Sequence, residues 1–446
     1  MIIEYLGAKE ITGSIIQVET DAAFFGERAV IRQIEDHEIQ RNGQVGRIPS
    51  SGVERNGQVI AVYNNIAHIQ VFEGVTGFSL TNIKTQLTGE PFRLKLSPEI
   101  LGRVFDGMGN PIDNLGDIVP DHEWDIEKPA INPQARDYPR GFIQTGISAI
   151  DLLMSLTRGQ KLPIFSTEGL SHDRLATQLV AQATGADTHI VFAGIGLKFD
   201  TYHFFKNTFS EMDNSHKLVT FLNLALSPVA ERLLIPKVAL TAAEYLAFEL
   251  GKDVMVIITD MTAYCEALRE LSATRGEVPG RKGYPSYMYS QLSTIYERAG
   301  LIKGKPGSVT ILPILTMPGG DITHPIPDLT GFITEGQIVL SKALNVYPPI
   351  DILPSLSRLM KDAIGSGKTT EDHPQIAKRV FEAYAKVIQL RDLAQIIGEE
   401  ELSTSDKRYL HFGDEFEQHF LQQGDKENRS IHQTVTLAKA LLQQLE

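Results

Sequence analysis

Leu162-Pro163-Ile164-Phe165-Ser166-Thr167-Glu168-Gly169-Leu170-Ser171-His172-Asp173 is the stretch on which the reading of this chain turns. Residues 162–165 are a short apolar run and predict a buried strand. Residues 166–170 are the turn after it, and Ser171-His172-Asp173 opens a helix. Leu175, Ala176, Leu179, Val180 and Ala183 recur at helical spacing and give that helix one apolar face. Ser171 suits its N-cap, because a serine hydroxyl accepts from a free amide of the first turn. Strand, tight loop and capped helix make the scaffold that binds nucleotide phosphates.

A working loop of this kind reads G-x-x-x-x-G-K-[ST]. Its glycines let backbone amides curl around phosphate, its lysine neutralises the charge, and its hydroxyl reaches magnesium. Here Gly169 is the second glycine and Ser171 the hydroxyl, but Ile164 stands for the first glycine and Leu170 for the lysine. Glu168 adds a carboxylate where phosphate charge would sit. Like charges that close cost about 1 kcal/mol in water and several times more in a partly dry site. Two readings stay open on these residues: a nucleotide site that has lost its function, and an ordinary strand, turn and helix.

Downstream, apolar runs alternate with helical stretches, the pattern of a parallel sheet covered by helices. Residues 190–193, 219–224, 254–258 and 309–315 predict its strands, and the third ends in Thr259-Asp260. An acid at the carboxyl end of a buried strand is where a P-loop enzyme holds magnesium. Asp260 fits that place, and it equally suits capping a helix that begins at Thr262.

Upstream, residues up to 78 read as short strands of a small barrel, with Asn64-Asn65 turning one hairpin. Gln40-Arg41-Asn42-Gly43-Gln44-Val45 is echoed by Glu54-Arg55-Asn56-Gly57-Gln58-Val59, which fits a local duplication that lengthens a hairpin. Gly26-Glu27-Arg28 reads as surface. Residues 79–140 are a connector rich in Gly, Pro and Asp, in which Trp124 is expected to pack between domains. Beyond residue 370 the chain turns helical. Pro374 suits a helix start, Ile376, Val380, Tyr384, Val387 and Ile388 form one stripe, Gly398 closes it, and Ser430 caps a final helix. Gly365-Ser366-Gly367-Lys368-Thr369 imitates a phosphate loop, but Asp362 replaces its first glycine and residues 356–361 read as helical rather than as the required strand.

The expected fold is therefore α/β. A β-barrel occupies residues 1–78, an α/β domain of nucleotide-binding type with a degenerate loop residues 79–365, and a helical bundle residues 366–446. A net charge of −13 argues against nucleic acid as the main partner. The single cysteine, Cys265, excludes internal disulfides, suits a reducing compartment and reads as a core residue. Met1-Ile2-Ile3-Glu4 is no secretory leader, and no apolar run approaches the ~18 residues that span a bilayer. A cytosolic or peripheral location follows.

Longer motifs carry a family resemblance. Thr145-Gly146-Ile147-Ser148-Ala149-Ile150-Asp151 and Arg158-Gly159-Gln160-Lys161-Leu162-Pro163-Ile164-Phe165 resemble the opening of the nucleotide domain of rotary ATPases. Leu240-Thr241-Ala242-Ala243-Glu244-Tyr245, Thr259-Asp260-Met261-Thr262-Ala263-Tyr264-Cys265-Glu266, Glu277-Val278-Pro279-Gly280-Arg281-Lys282-Gly283 and Thr323-His324-Pro325-Ile326-Pro327-Asp328 resemble the B subunit of the V-type and archaeal-type complexes. Pro348-Pro349-Ile350-Asp351-Ile352-Leu353-Pro354-Ser355-Leu356-Ser357 is similar to the signature shared by the two kinds of ring subunit.

The resemblance implies a non-catalytic, regulatory B subunit that alternates with a catalytic A subunit in a ring around a rotor shaft, with peripheral stalk subunits outside. It implies ATP or ADP with magnesium at the interface with the A subunit, and coupling of hydrolysis or synthesis to proton or sodium transport. The place is the cytoplasmic face of a membrane, touched only through the ion-translocating sector. It implies a loop (Ser166, Thr167, Glu168, Gly169, Leu170, Ser171) that is degenerate by type, with Asp260 at the magnesium-acid position and no metal held by this chain alone. Thr167-Glu168 departs even from the usual B pattern, and the hairpin of residues 41–59 is longer than usual. Catalytic relatives carry Gly-Glu-Arg after the strand at residues 190–193, whereas Ala193 here is followed by Gly194-Ile195-Gly196-Leu197, without a base.

In the family, the arginine matching Arg358, read here as starting a helix, reaches across the subunit boundary to the γ-phosphate. A surface ion pair with Asp351 or Asp362 is the plainer alternative. Ser355 and Ser357 shape the turn before it. Arg281 faces the rotor or makes an ion pair within its loop. The alternative function is an active homohexameric motor of secretion or nucleic-acid translocase type. Leu170 and the missing glutamate speak against that.

Overall fold

The strands expected from the apolar runs lie in one ten-stranded sheet. The computed structural model describes residues 3–41, 44–184 and 188–445. From one edge the order is Ile350–Ser357, Gly336–Leu340, Ile164–Thr167, Ser308–Met317, Asp253–Thr259, Thr188–Leu197, Leu218–Leu224 and Val104–Phe105. Every neighbouring pair along this path is parallel except the first. Parallel strands are covered on both faces, which is why they read as unbroken apolar runs. Side chains alternate between faces along each strand. Val191 and Ala193 enter one core with the helices Val229–Glu244 and Met261–Thr274. Ile190 and Phe192 enter a second core with the helix His172–Thr184 and the C-terminal helices.

The N-terminal strands form a seven-stranded antiparallel sheet. Its edge strands are Ile3–Leu6 and Glu10–Thr12, which only residues 7–9 separate in the chain. A flat sheet of this width would hold its edges roughly 29 Å apart at ~4.8 Å per strand. The short link spans roughly 14 Å at most, so the sheet must curl into a barrel. Ile16, Val18, Ala29, Ile31, Val59, Ala67 and Ile69 fill it. The sheet continues past residue 78, because Ile83–Pro91 pairs with both Ile3–Leu6 and Glu27–Arg41. Ile83, Thr85 and Leu87 alternate inward there, a strand signal hidden among connector residues.

Asn64 and Asn65, at φ 49° and 60°, make the expected hairpin turn. Strands Glu27–Arg41 and Gln44–Tyr63 pair as one long hairpin; Asn42-Gly43 lies outside the described residues. Glu27 is buried rather than on the surface, accepting from the amides of Gly89 and Phe24. Trp124 packs edge-on against Tyr245, under the Lys128 ammonium, inside the central part of the chain.

Three helices close the chain, at His373–Ile397, Thr404–Glu415 and Ile431–Leu442. Ser430 caps the last one in a reciprocal capping box with Gln433. Ser430→Ala is expected to cost about 1 kcal/mol locally, read as faster amide hydrogen exchange in the first turn of that helix. Unchanged exchange there would show that the box contributes nothing. Residues 356–361 are not helical as expected. Ile350–Ser357 is an edge strand, followed by one short turn at Met360–Asp362. Pairing with Gly336–Leu340 overrides the local spacing, and Gly336 permits it, since a Cβ there would lie 2.2 Å from the Leu356 carbonyl oxygen.

Candidate functional site

The loop after Ile164–Thr167 is a single tight turn. Leu170 N–H donates to the Thr167 carbonyl at 3.1 Å, and Gly169 has φ +83°. That is a turn with glycine at its third position, not a curl around a phosphate. Ile164, the place of the missing first glycine, is wholly buried and paired on both sides within the sheet. Leu170, the place of the lysine, is half-buried and packs against the second core. Ser171 is exposed, and its carbonyl, not its hydroxyl, receives the first helical amides. Ser166 is buried with its hydroxyl 3.2 Å from His172 Nδ1. Thr167 Oγ1 is buried without a hydrogen-bond partner among the described residues.

Glu168 lines an open cleft of about 430 Å³ with Thr167, Gly320, Ser341, Lys342 and Asp351. Lys342 brings an ammonium to within 3.5 Å of where a Gly169 Cβ would lie. This cation follows a different strand, and nothing in the sequence signals that it meets the loop. Two acids, Glu168 and Asp351, line the same cleft, and burial pushes the Asp351 carboxyl up. The residues present do not fit a magnesium nucleotide.

Asp260 caps the helix Met261–Thr274, accepting from Thr262 N at 2.7 Å. Its carboxylate also accepts from the amide and the hydroxyl of Thr316 on the neighbouring strand. Asp260 thus bridges this helix and the strand Ser308–Met317. Burial pushes nearby Asp173 up, reinforced by the Asp260 charge and opposed by His172. After Ala193 the strand continues to Leu197 with a bulge, and Gly196 N–H is taken by Asn223. Glu231, on the following helix, is engaged by the Gly107 amide.

Arg358 follows the edge strand directly and is exposed. Its guanidinium has no hydrogen-bond or ion-pair partner among the described residues. Neither alternative ion pair forms: Asp362 accepts from Tyr138 at 3.0 Å, and Asp351 lies at the far end of the strand. The backbone beneath Arg358 is held firmly. Its N–H donates to the Glu335 carbonyl at 2.9 Å. Ser357 Oγ donates to the Ser155 carbonyl and accepts from Gln160 Nε2 at 2.9 Å. Ser355 Oγ accepts from Val339 N and donates to the Asp351 carbonyl, closing the bulge in the pairing of this strand. Arg281 makes the loop ion pair, with Asp328 at 2.7 Å and the Thr323 carbonyl at 2.8 Å.

Ser357 pairs with Gly336, whereas Ile338 and Val339 pair with Ile164 and Phe165. The edge strand runs against its neighbours, so Arg358 leaves the sheet at the end away from the Thr167 turn. The offset from Gly336 to the level of Ser341 is roughly 17 Å at the usual rise per residue.

Residues 146–357 match the ATP synthase alpha/beta family, nucleotide-binding domain, and residues 362–445 match the C-terminal domain of V and A type ATP synthase. The chain is 53% identical over 445 residues to a V-type ATP synthase beta chain of Thermotoga neapolitana, covering 98% of this chain and 94% of that one. It is 50% identical to a V-type ATP synthase beta chain of Halothermothrix orenii, covering 99% of this chain and 94% of that one. Among solved structures it is similar to the ATP synthase subunit NeqB of Nanoarcheaum equitans, at TM-score 0.76 and 38% identity, covering 97% and 99% of the two chains.

Proposed function

This chain belongs to the ATP synthase alpha/beta family, among the V-type ATP synthase beta chains, and on that premise we propose that it lends Arg358 to a nucleotide held by a neighbouring catalytic A subunit. The single observation that carries this reading is the position of Arg358. It is exposed, unpaired among the described residues, and at the opposite end of the sheet from the chain's own loop. An arginine so placed is available to a site outside its own chain. A guanidinium suits that task because its planar fork stays charged and binds phosphate oxygens in pairs.

The ring alternates this chain with A subunits around a rotor shaft, braced by peripheral stalk subunits. ATP or ADP with magnesium is held at the interface with the A subunit, and turnover there is coupled to proton or sodium movement. Among the described residues no helix is long and apolar enough to cross a membrane. In this reading the chain sits peripherally at the cytoplasmic face and meets the membrane only through the ion-translocating sector. In this reading Arg281, exposed although paired with Asp328, faces the rotor shaft, and Ser355 and Ser357 shape the turn before Arg358.

The isolated chain is expected to show no steady ATP hydrolysis and at best weak ATP binding. Leu170 packs, half-buried, against the second core, Glu168 faces the cleft, and no base follows Ala193. Turnover assays and calorimetry on the pure chain test this. Steady turnover abolished by Asp260→Ala would overturn the non-catalytic assignment. Low-micromolar binding that Leu170→Lys fails to tighten would show that the phosphate loop lies elsewhere.

A further inference from the structure

We propose that Gln160 is a positioning residue for Arg358, an inference that rests on the reading of Arg358 as the lent arginine. Gln160 is wholly buried, and its amide is used at both ends. Its Oε1 accepts from Thr157 N at 3.0 Å. Its Nε2 donates to Ser357 Oγ at 2.9 Å and to the Glu335 carbonyl at 3.2 Å. That carbonyl is the one that accepts the N–H of Arg358. One side chain therefore grips the residue before Arg358 and the acceptor of Arg358 itself.

Glu335 is fixed independently of Gln160. Its Oε2 accepts from Lys161 N at 2.8 Å, and its Oε1 pairs with Lys161 Nζ at 2.9 Å. The Lys161 ammonium is buried and also pairs with Glu297 at 2.8 Å. Thr157 Oγ1 reaches the Leu359 carbonyl on the other side of Arg358. The turn of residues 155–161 is thus a socket for the backbone on which Arg358 stands, and Gln160 joins its parts. A long side chain reaching into another subunit amplifies any tilt of its base. A misplacement of about 1 Å in positioning groups costs on the order of 10²-fold in rate.

The test uses the assembled complex with Gln160→Met, which keeps the length of the side chain and removes its hydrogen bonds. The ring should assemble, KM for ATP should change little because the partner holds the nucleotide, and kcat should fall about 10²-fold. Single-turnover hydrolysis is then measured for Gln160→Met in the Arg358→Ala background. If Gln160 acts through Arg358, the second substitution lowers the residual rate no further. Should Gln160→Met fail to assemble, Ser357→Ala removes the other half of the grip and is read the same way, with a smaller loss expected. Near-normal kcat, or an equal fall with and without Arg358, would overturn the inference while leaving the reading of Arg358 intact. Near-normal turnover of Arg358→Ala by itself would overturn that reading, and this inference with it.

Discussion

Arg358→Ala is expected to leave the ring assembled and to lower its turnover by about 10³–10⁵-fold. An arginine lent in trans stabilises charge that develops on the transferring phosphoryl group, a contribution of roughly 4–7 kcal/mol to the barrier. Here the guanidinium is free of partners among the described residues, so it needs to break no existing pair before reaching a neighbour. Its backbone is bonded to Glu335 and flanked by the Ser357 grip, so it starts from a fixed point. Arg358→Lys should also fail badly, because a point charge on a flexible stem does not reproduce a planar fork. Assembly should survive both changes, since one exposed side chain rarely decides a large interface. Reconstitution with the catalytic partner separates the two quantities, ring formation and hydrolysis. An intact ring with near-normal turnover would show that Arg358 is structural.

The second large effect lies in the core. Arg298 is 2% exposed and uses all its donors. It forms a two-point pair with Glu244, at 2.6 and 2.9 Å, and bonds to Thr241 Oγ1 and to the carbonyls of Ile126 and Lys237. It therefore pins the helix Val229–Glu244 to the connector strand region and to the end of Met288–Tyr296. Arg298→Met would leave Glu244 buried and unpaired, a change that costs about 3–5 kcal/mol. Removing both charges with Arg298→Met and Glu244→Leu should recover most of that loss, because two apolar groups of similar volume need no partner. Urea unfolding followed by the single tryptophan reads this directly, since Trp124 packs on Tyr245, the residue after Glu244. A single substitution as stable as the parent would show that the pair is solvated.

The sequence by itself determined the class of the fold and the departure of the chain's own loop from a phosphate-binding pattern. Four central strands were legible because parallel strands buried on both faces must be apolar along their whole length. The final helix was legible because Ser430 and its apolar stripe are local signals. Leu170, Ile164 and the missing base were legible because catalysis needs particular side chains, whatever the packing. The role proposed for Arg358 rests on the signature before it, and the helical spacing of residues 356–361 gives no sign of the edge strand that ends at Ser357.

Only the tertiary structure decided the rest. Pairing with Gly336–Leu340 drew Leu356 and Ser357, the first residues of the expected helical stretch, into the edge strand Ile350–Ser357, because a partner strand outweighs local helical preference. That strand runs against its neighbours, which sends Arg358 away from the Thr167 turn. Gln160 meets its partners across 175 and 197 residues of chain, and Lys342 reaches the Gly169 turn from a separate strand. No local pattern encodes such contacts. They exist because sheet order brings distant segments together, and a buried amide such as that of Gln160 must then find its partners there.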